Sequence, residues 1–291
     1  MKKLGSHTMF TYRHELENFA KATRGPYSSL PSIFVDGDSW FAYPGRNANF
    51  FNGRSTNLIE AMRSHMIKGA TWFDISSSKR VTRGVKRNLD FFIRLKFRQA
   101  KLDFYMISIG GNDMFENLDA LLKPRRDTVG SSPTATDCIN KDNLNKRLSA
   151  ISIFYKKLFK RLRRYYPKLP VITHTYALPV ERTRGFSFMG KFTSDSWVSK
   201  ALKKQGYPDQ TQSELSRAIV ETIHKAFSDH LEHIFSQHDH CYIYSAIDRN
   251  IQLNDKKYWA DEIHLSPIGC KLVAGDIVEF MKEKKITDKL K

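Results

Sequence analysis

Ser32-Ile33-Phe34-Val35-Asp36-Gly37-Asp38-Ser39-Trp40 is the stretch on which the reading of this chain turns. A short apolar run over 32–36 ends at a glycine, the pattern of a buried parallel strand. Two carboxylates and a hydroxyl follow at once. Working outward, the same pattern recurs. Apolar runs at 70–75, 103–109, 170–175 and 241–246 predict four further strands. Between them lie segments of helical spacing at 56–67, 80–100, 143–166 and 211–236, and a last helix runs from Ser266-Pro267 to about Lys284. In the helix at 80–100, Leu89, Phe92, Ile93 and Phe97 are expected on one side. Leu144, Leu148, Ile151, Tyr155, Leu158, Leu162 and Tyr165 mark the inner face of 143–166, and Leu215, Ile219, Ile223, Phe227, Leu231 and Ile234 that of 211–236. Serine suits the N-cap of the last helix and proline its first turn. Strands alternating with helices predict an α/β fold, one parallel sheet with helices on both faces.

Open parallel sheets place their sites beyond the carboxyl ends of the strands. Three polar clusters fall there: Asp36 to Trp40, Gly110-Gly111-Asn112-Asp113, and Asp261-Glu262-Ile263-His264-Leu265-Ser266-Pro267. Together they offer the parts of acyl transfer. A serine hydroxyl needs a base to take its proton, and His264 can serve Ser39 with one ring nitrogen. Asp261, three residues earlier, can turn back to orient the other nitrogen. The Ser39 N–H and the Asn112 side-chain amide are donors for an oxyanion. Gly110 and Gly111 allow close approach of their loop. Asp38 and Asp113 are expected to support loop backbone near the site.

Gly37-Asp38-Ser39, Gly110-Gly111-Asn112-Asp113 and Asp261-x-x-His264 resemble, in order and spacing, blocks I, III and V of the SGNH (GDSL-like) serine hydrolases. The resemblance spans about residues 32 to 284. It implies a three-layer α/β/α, flavodoxin-like fold with a five-stranded parallel sheet, a serine esterase activity and no metal or other cofactor. Carbohydrate deacetylation or acyl transfer to a sugar hydroxyl is the alternative on the same site. The family's block II glycine, a further oxyanion donor, has no counterpart here. Asp74-Ile75-Ser76-Ser77-Ser78 stands in its place, and the N–H of Ser77 or Ser78 is the expected substitute. The Gly-x-Ser-x-Gly elbow of α/β-hydrolases is absent.

The chain of 291 residues is read as a single domain, with insertions at about 115–142 and 177–209. Within them, 123–142 reads as a long polar loop and 177–209 as irregular. Phe186, Phe188, Met189, Phe192 and Trp197 suggest either a lid over an acyl pocket or a satellite apolar cluster. The 41% hydrophobic content is enough to bury a substantial core, so disorder is not the default reading. Lys and Arg number 48 against 30 acids, a formal +18. An anionic surface or polymer is one expected partner, and plain solubility the simpler reading. A polyanion-binding protein on a degenerate hydrolase scaffold is the rival from another class. Three cysteines, Cys138, Cys241 and Cys270, make no disulfide framework. With no apolar run behind the basic start, a cytoplasmic protein is expected. No apolar stretch reaches membrane-spanning length. His174 reads as a core or loop histidine. His230, His233, His238 and His240 read as a solvated cluster rather than a metal site.

Overall fold

A computed structural model of the chain describes residues 7–10, 15–42, 57–77, 81–82, 89–128, 132–178, 184–188, 192–208 and 213–290. The main sheet is built from β1 (His7–Phe10), β2 (Ser32–Gly37), β3 (Ala70–Asp74), β4 (Phe104–Ser108), β5 (Val171–Thr175) and β8 (Cys241–Ser245). Its order is β1-β3-β2-β4-β5-β8, and every pairing is parallel. β2, β3, β4 and β5 are buried along their whole length, as strands covered by helices require. All strands run one way, so the ends of β2, β4 and β5 lie side by side at one edge.

Among the described residues the sheet has six strands, not five. β1 adds to β3 in the register His7↔Ala70 to Phe10↔Phe73. Four residues, His-Thr-Met-Phe, form no apolar run that a sequence pattern can register. The strand is anchored instead through space, Phe10 packing edge-on against Phe19 at 5.8 Å.

The helices are α1 (Leu16–Arg24), α2 (Ser39–Ala42), α3 (Leu58–His65), α4 (Leu89–Phe97), α5 (Gly111–Phe115), α6 (Ala135–Cys138), α7 (Lys141–Tyr165), α8 (Trp197–Lys204), α9 (Glu214–Ser236) and α10 (Pro267–Glu283). α7 starts at an Asn140 cap, which accepts from the Asn143 N–H, and ends before Pro167. The inner stripes of α7 and α9 fall close to expectation, with Ile151, Tyr155, Leu158 and Leu162 buried on one, and Ile219, Ile223, Phe227 and Leu231 on the other. α4 departs from it. Phe91, Phe92 and Leu95 are buried, whereas Phe97 is 83% exposed. Phe92 meets Phe34 at 5.2 Å and Tyr105 at 5.1 Å, which sets the helix's rotation. Phe97, two residues past Leu95, lies about 200° round the axis and faces away.

Both stretches read as insertions hold more structure than their composition suggested. Thr134 and Asp137 form a reciprocal capping box that starts α6. The stretch 177–209 contains an antiparallel hairpin, β6 (Arg184–Phe188) with β7 (Phe192–Asp195), followed by α8. Val198, Ala201 and Leu202 give α8 its buried face. No helix among the described residues is long and apolar enough to cross a membrane.

Candidate active site

Ser39 opens α2 directly beyond the end of β2 and is 8% exposed. The turn is tight: a Cβ on Gly37 would lie 2.5 Å from the Phe41 ring. The Asp38 N–H donates to the Ser108 carbonyl at 2.7 Å, which ties the end of β2 to that of β4. The Asp38 side chain points inward and is fully buried. Its Oδ1 accepts from the Trp40 N–H at 3.2 Å and from Ser108 Oγ at 2.9 Å, and its Oδ2 accepts from the Tyr176 hydroxyl. Asp38 therefore supports backbone, as expected, but it is also the centre of a buried polar network.

Proton accounting fixes that network. Ser108 and Tyr176 each have one hydroxyl proton, and both are committed to Asp38. His174 Nε2 lies 2.9 Å from Ser108 Oγ, so with Asp38 ionised His174 is the donor there. Burial pushes the Asp38 carboxyl up to about 6; the bonds from Tyr176, Ser108 and the Trp40 N–H, and the charge of His264, oppose this. Burial pushes His174 down to about 4. His174 is thus a core histidine with a definite partner. The Tyr176 carbonyl is held by His224 Nε2 of α9 at 2.6 Å.

The second cluster follows β4. Gly110 has φ of +121°, a region closed to most side chains, and a Cβ there would meet Phe227 at 2.9 Å. On Gly111 a Cβ would lie 2.6 Å from the Tyr176 ring. These contacts let α5 sit against the buried network, with Asn112 half-buried in its first turn. Asp113 turns to the neighbouring loop, accepting from the Thr82 N–H at 2.9 Å and Thr82 Oγ1 at 2.7 Å. The end of α5 is clamped by Arg147 of α7, which donates to the carbonyls of Asp113, Met114, Glu116 and Asn117. Tyr155 donates to the Ile109 carbonyl at 2.8 Å, buttressing the turn from below.

One expected donor is already engaged. The Ser77 N–H bonds the Gly37 carbonyl at 2.8 Å, continuing the pairing of β2 with the chain beyond β3. Ser77 is therefore not the substitute for the missing glycine. Ser78, the other expected donor, lies outside the described residues.

Asp261 and His264 meet as the spacing suggested. Asp261 Oδ2 lies 2.8 Å and Oδ1 3.0 Å from His264 Nδ1. Oδ1 also accepts from the Ile263 and His264 N–H groups at 2.9 and 2.8 Å, so the loop folds around the carboxylate. Both residues are buried, at 1% and 3% exposure. Burial alone would raise the Asp261 carboxyl, but His264 and the two N–H groups outweigh it and hold it below its ordinary value. Nδ1 is occupied by Asp261, which leaves Nε2 as the nitrogen for a proton-transfer partner. Ser266 caps α10, accepting from the Gly269 N–H at 3.2 Å. α10 and α2 both pack on α3, and His264 lies within electrostatic reach of Asp38, Ser39's neighbour.

Glu262, between the pair, was not anticipated. It is 1% exposed, and its Oε1 accepts from the Trp197 N–H at the start of α8. The Trp197 ring stands edge-on to His264, centroids 5.7 Å apart at 82°. Of the proposed lid residues, Met189 lies outside the described residues, and the side chains of Phe186, Phe188 and Phe192 are likewise not described. Of the histidine cluster, His230 Nε2 is placed by Ser152 Oγ at 2.7 Å and the Leu148 carbonyl at 2.9 Å, and His238 packs on Phe159 at 4.4 Å. Ser108, Tyr176, His224, Arg147 and Glu262 escaped the reading of the sequence. For Ser108 and Tyr176 a signal existed, since each sits at or just past a strand end.

No family model and no curated relative matches the chain. Solved structures do. A lipase from a goat rumen metagenome superposes with a TM-score of 0.54 at 13% identity, covering 89% of this chain and 100% of that one. An extracellular lipase from Streptomyces rimosus gives 0.52 at 13% identity, with 86% and 99% covered. A structure from Parabacteroides merdae assigned as a GDSL-like lipase gives 0.50 at 13% identity, with 88% and 96% covered. The chain has the fold of GDSL-like lipases. At this identity the likeness concerns the fold, and the chemistry is argued from this chain's own residues.

Proposed function

We propose that the protein hydrolyses carboxylic esters through an acyl-serine intermediate. The observation that carries this reading is the buried Asp261–His264 pair, both carboxylate oxygens within 3.0 Å of Nδ1, on the same sheet edge as Ser39. Ser39 Oγ attacks the ester carbonyl carbon as its proton passes to His264 Nε2. The carbonyl electron pair moves onto oxygen and is met by the Ser39 N–H and the Asn112 amide. As the intermediate collapses, the bond to the alcohol oxygen breaks and His264 returns the proton to it. Water then repeats the sequence in place of Ser39 and releases the acid. Asp261 holds the tautomer that makes Nε2 basic and stabilises the imidazolium. It stays ionised, as its lowered pKa requires.

Reaction with a fluorophosphonate, followed by peptide mapping, tests the reading. Labelling at Ser39, with loss of p-nitrophenyl acetate turnover in a folded Ser39→Ala variant, is the expected result. Folded wild-type protein that resists the label is a binding scaffold and not a hydrolase.

A further inference from the structure

The excess of positive charge is concentrated on one side of the fold. α7 has no acid between Asn143 and Tyr165 against eight cations. Ile153, Lys157, Lys160 and Arg164 are exposed and recur at intervals of three and four, so they form one outer stripe. α4 runs beside α7, where Arg161 pairs with Asp90 at 3.0 Å and Lys96 stands over the Tyr166 ring at 5.7 Å. The acids bordering this face are few. Glu17 is taken by Arg98 and Lys21, Asp90 by Arg161, and Asp239 lies at the margin, where its carbonyl accepts from Arg163. Arg94, Lys96, Lys157, Lys160, Arg164 and Lys168 are exposed and have no ion pair among the described residues. The sequence just before α4, 78–88, contributes five more cations and no acid. A surface that serves solubility alone mixes the two signs.

Phe97 stands among these cations. It is 83% exposed, the most exposed large apolar side chain among the described residues, and Lys96 and Arg98 flank it in the chain. The burial of Phe91, Phe92 and Leu95 fixes the rotation of α4 and so keeps Phe97 outside. Both helices end where strands begin: α7 at Tyr165 before β5, and α4 at Phe97 before β4, with Asp103 accepting from the Ser32 N–H at the start of β2 at 2.7 Å. Ser39 lies beyond the far end of β2, at the opposite edge of the sheet.

We infer that the outer stripe of α7 and the C-terminal end of α4 form a docking surface for an anionic lipid bilayer, with Phe97 as its apolar anchor, and that docking leaves the edge carrying Ser39 and His264 turned away from the membrane. The cations alone would suit any polyanion. Phe97 makes the distinction. A nucleic acid duplex or a sulfated polysaccharide would meet the charges but has no apolar layer to receive a phenyl ring. A bilayer offers phosphates at its surface and hydrocarbon directly beneath them.

Flotation of the full chain with lipid vesicles tests this. The protein should bind phosphatidylcholine vesicles containing one-third phosphatidylserine, and not vesicles of phosphatidylcholine alone. Lys157→Gln, Lys160→Gln and Arg164→Gln combined should lower the partition coefficient about a hundredfold, about fivefold per charge removed. Phe97→Ser should lower it about tenfold and leave binding to heparin unchanged. All four side chains are exposed, and urea midpoints at the wild-type value separate lost binding from a lost fold. Wild-type protein that ignores anionic vesicles, or a triple variant that binds them as wild type does, overturns the inference. A Phe97→Ser variant that keeps full vesicle binding, while the triple variant loses both vesicles and heparin, makes the partner a soluble polyanion and overturns the bilayer. Brominated lipid tests the orientation. It should quench the emission of a Phe97→Trp variant but not that of the wild type, whose exposed Trp197 stands beside His264. Equal quenching would put the Ser39 edge on the membrane and overturn the orientation.

Discussion

Asp38 and His174 are buried one hydroxyl apart, and their displaced pKa values oppose each other over one pH window. The Asp38 carboxyl moves from 3.8 to about 6. Between those values the folded state holds more protons than the unfolded, so Asp38's contribution to stability falls as pH rises. His174 moves from 6.5 to about 4. There the folded state holds fewer protons, so its contribution rises with pH. At about 1.36 kcal/mol per pH unit, each displacement is worth about 3 kcal/mol over its full span, of which about 2 kcal/mol falls between pH 7 and 4.5. In the wild-type chain the two oppose each other. Single substitutions should unmask them. His174→Gln keeps an N–H donor for Ser108 and loses the titration. Its stability relative to wild type should rise by about 2 kcal/mol on going from pH 7 to 4.5. Asp38→Asn loses the opposite arm, and its relative stability should fall by about 2 kcal/mol over the same interval.

Urea denaturation at pH 7.0, 6.0, 5.0 and 4.5 measures both. With an m-value of ~2 kcal/mol/M, the two variants' midpoints should diverge by roughly 2 M across the series. Constant offsets from such substitutions shift a whole curve without tilting it, so the tilt isolates the two groups. Three midpoint curves that stay parallel would refute the reasoning, and with it the assignment of a buried carboxylate and a buried neutral imidazole to this network.

Two other outcomes are expected of the site and the surface. Asn112→Ala should lower kcat by ~10²-fold with little change in KM, because its amide meets charge that exists only in the transition state; steady-state kinetics on p-nitrophenyl acetate checks it, and a change in KM alone would make Asn112 a substrate contact. The formal +18 should make kcat/KM for an anionic ester fall between 20 and 500 mM salt, while a neutral ester changes little, since exposed charges are screened over ~10 Å at 0.1 M; equal salt dependence would leave the basic surface a matter of solubility.

The division between what the sequence disclosed and what it withheld has a physical basis. Ser39, Asn112, Asp261 and His264 each lie just past an apolar run or just before a capped helix. The proposed acyl transfer needs side chains of those types, so a short local pattern marks them as candidates. The Ser266 cap and the stripe of α9 are local in the same way. Tyr176 is different: it meets Asp38 across 138 residues, and His224 holds its carbonyl across 48. The place of Tyr176 just past β5 puts it at the sheet edge, but its choice of partner, and that of His224, is set by packing across the fold. Ser77 shows a subtler limit, since its N–H is spent by the register of β2 on its neighbour, and a backbone donor looks the same in sequence whether engaged or available. The Glu262 latch was hidden for a third reason. A glutamate between an aspartate and a histidine reads as one more acid of a catalytic loop, and only the packing of α8 makes it a hook. Groups that react must be of one residue type, whereas groups that hold them need only a donor or acceptor in the right place, and many residue types supply one. The groups proposed to react are therefore legible one by one, and the holding groups only once the chain has folded.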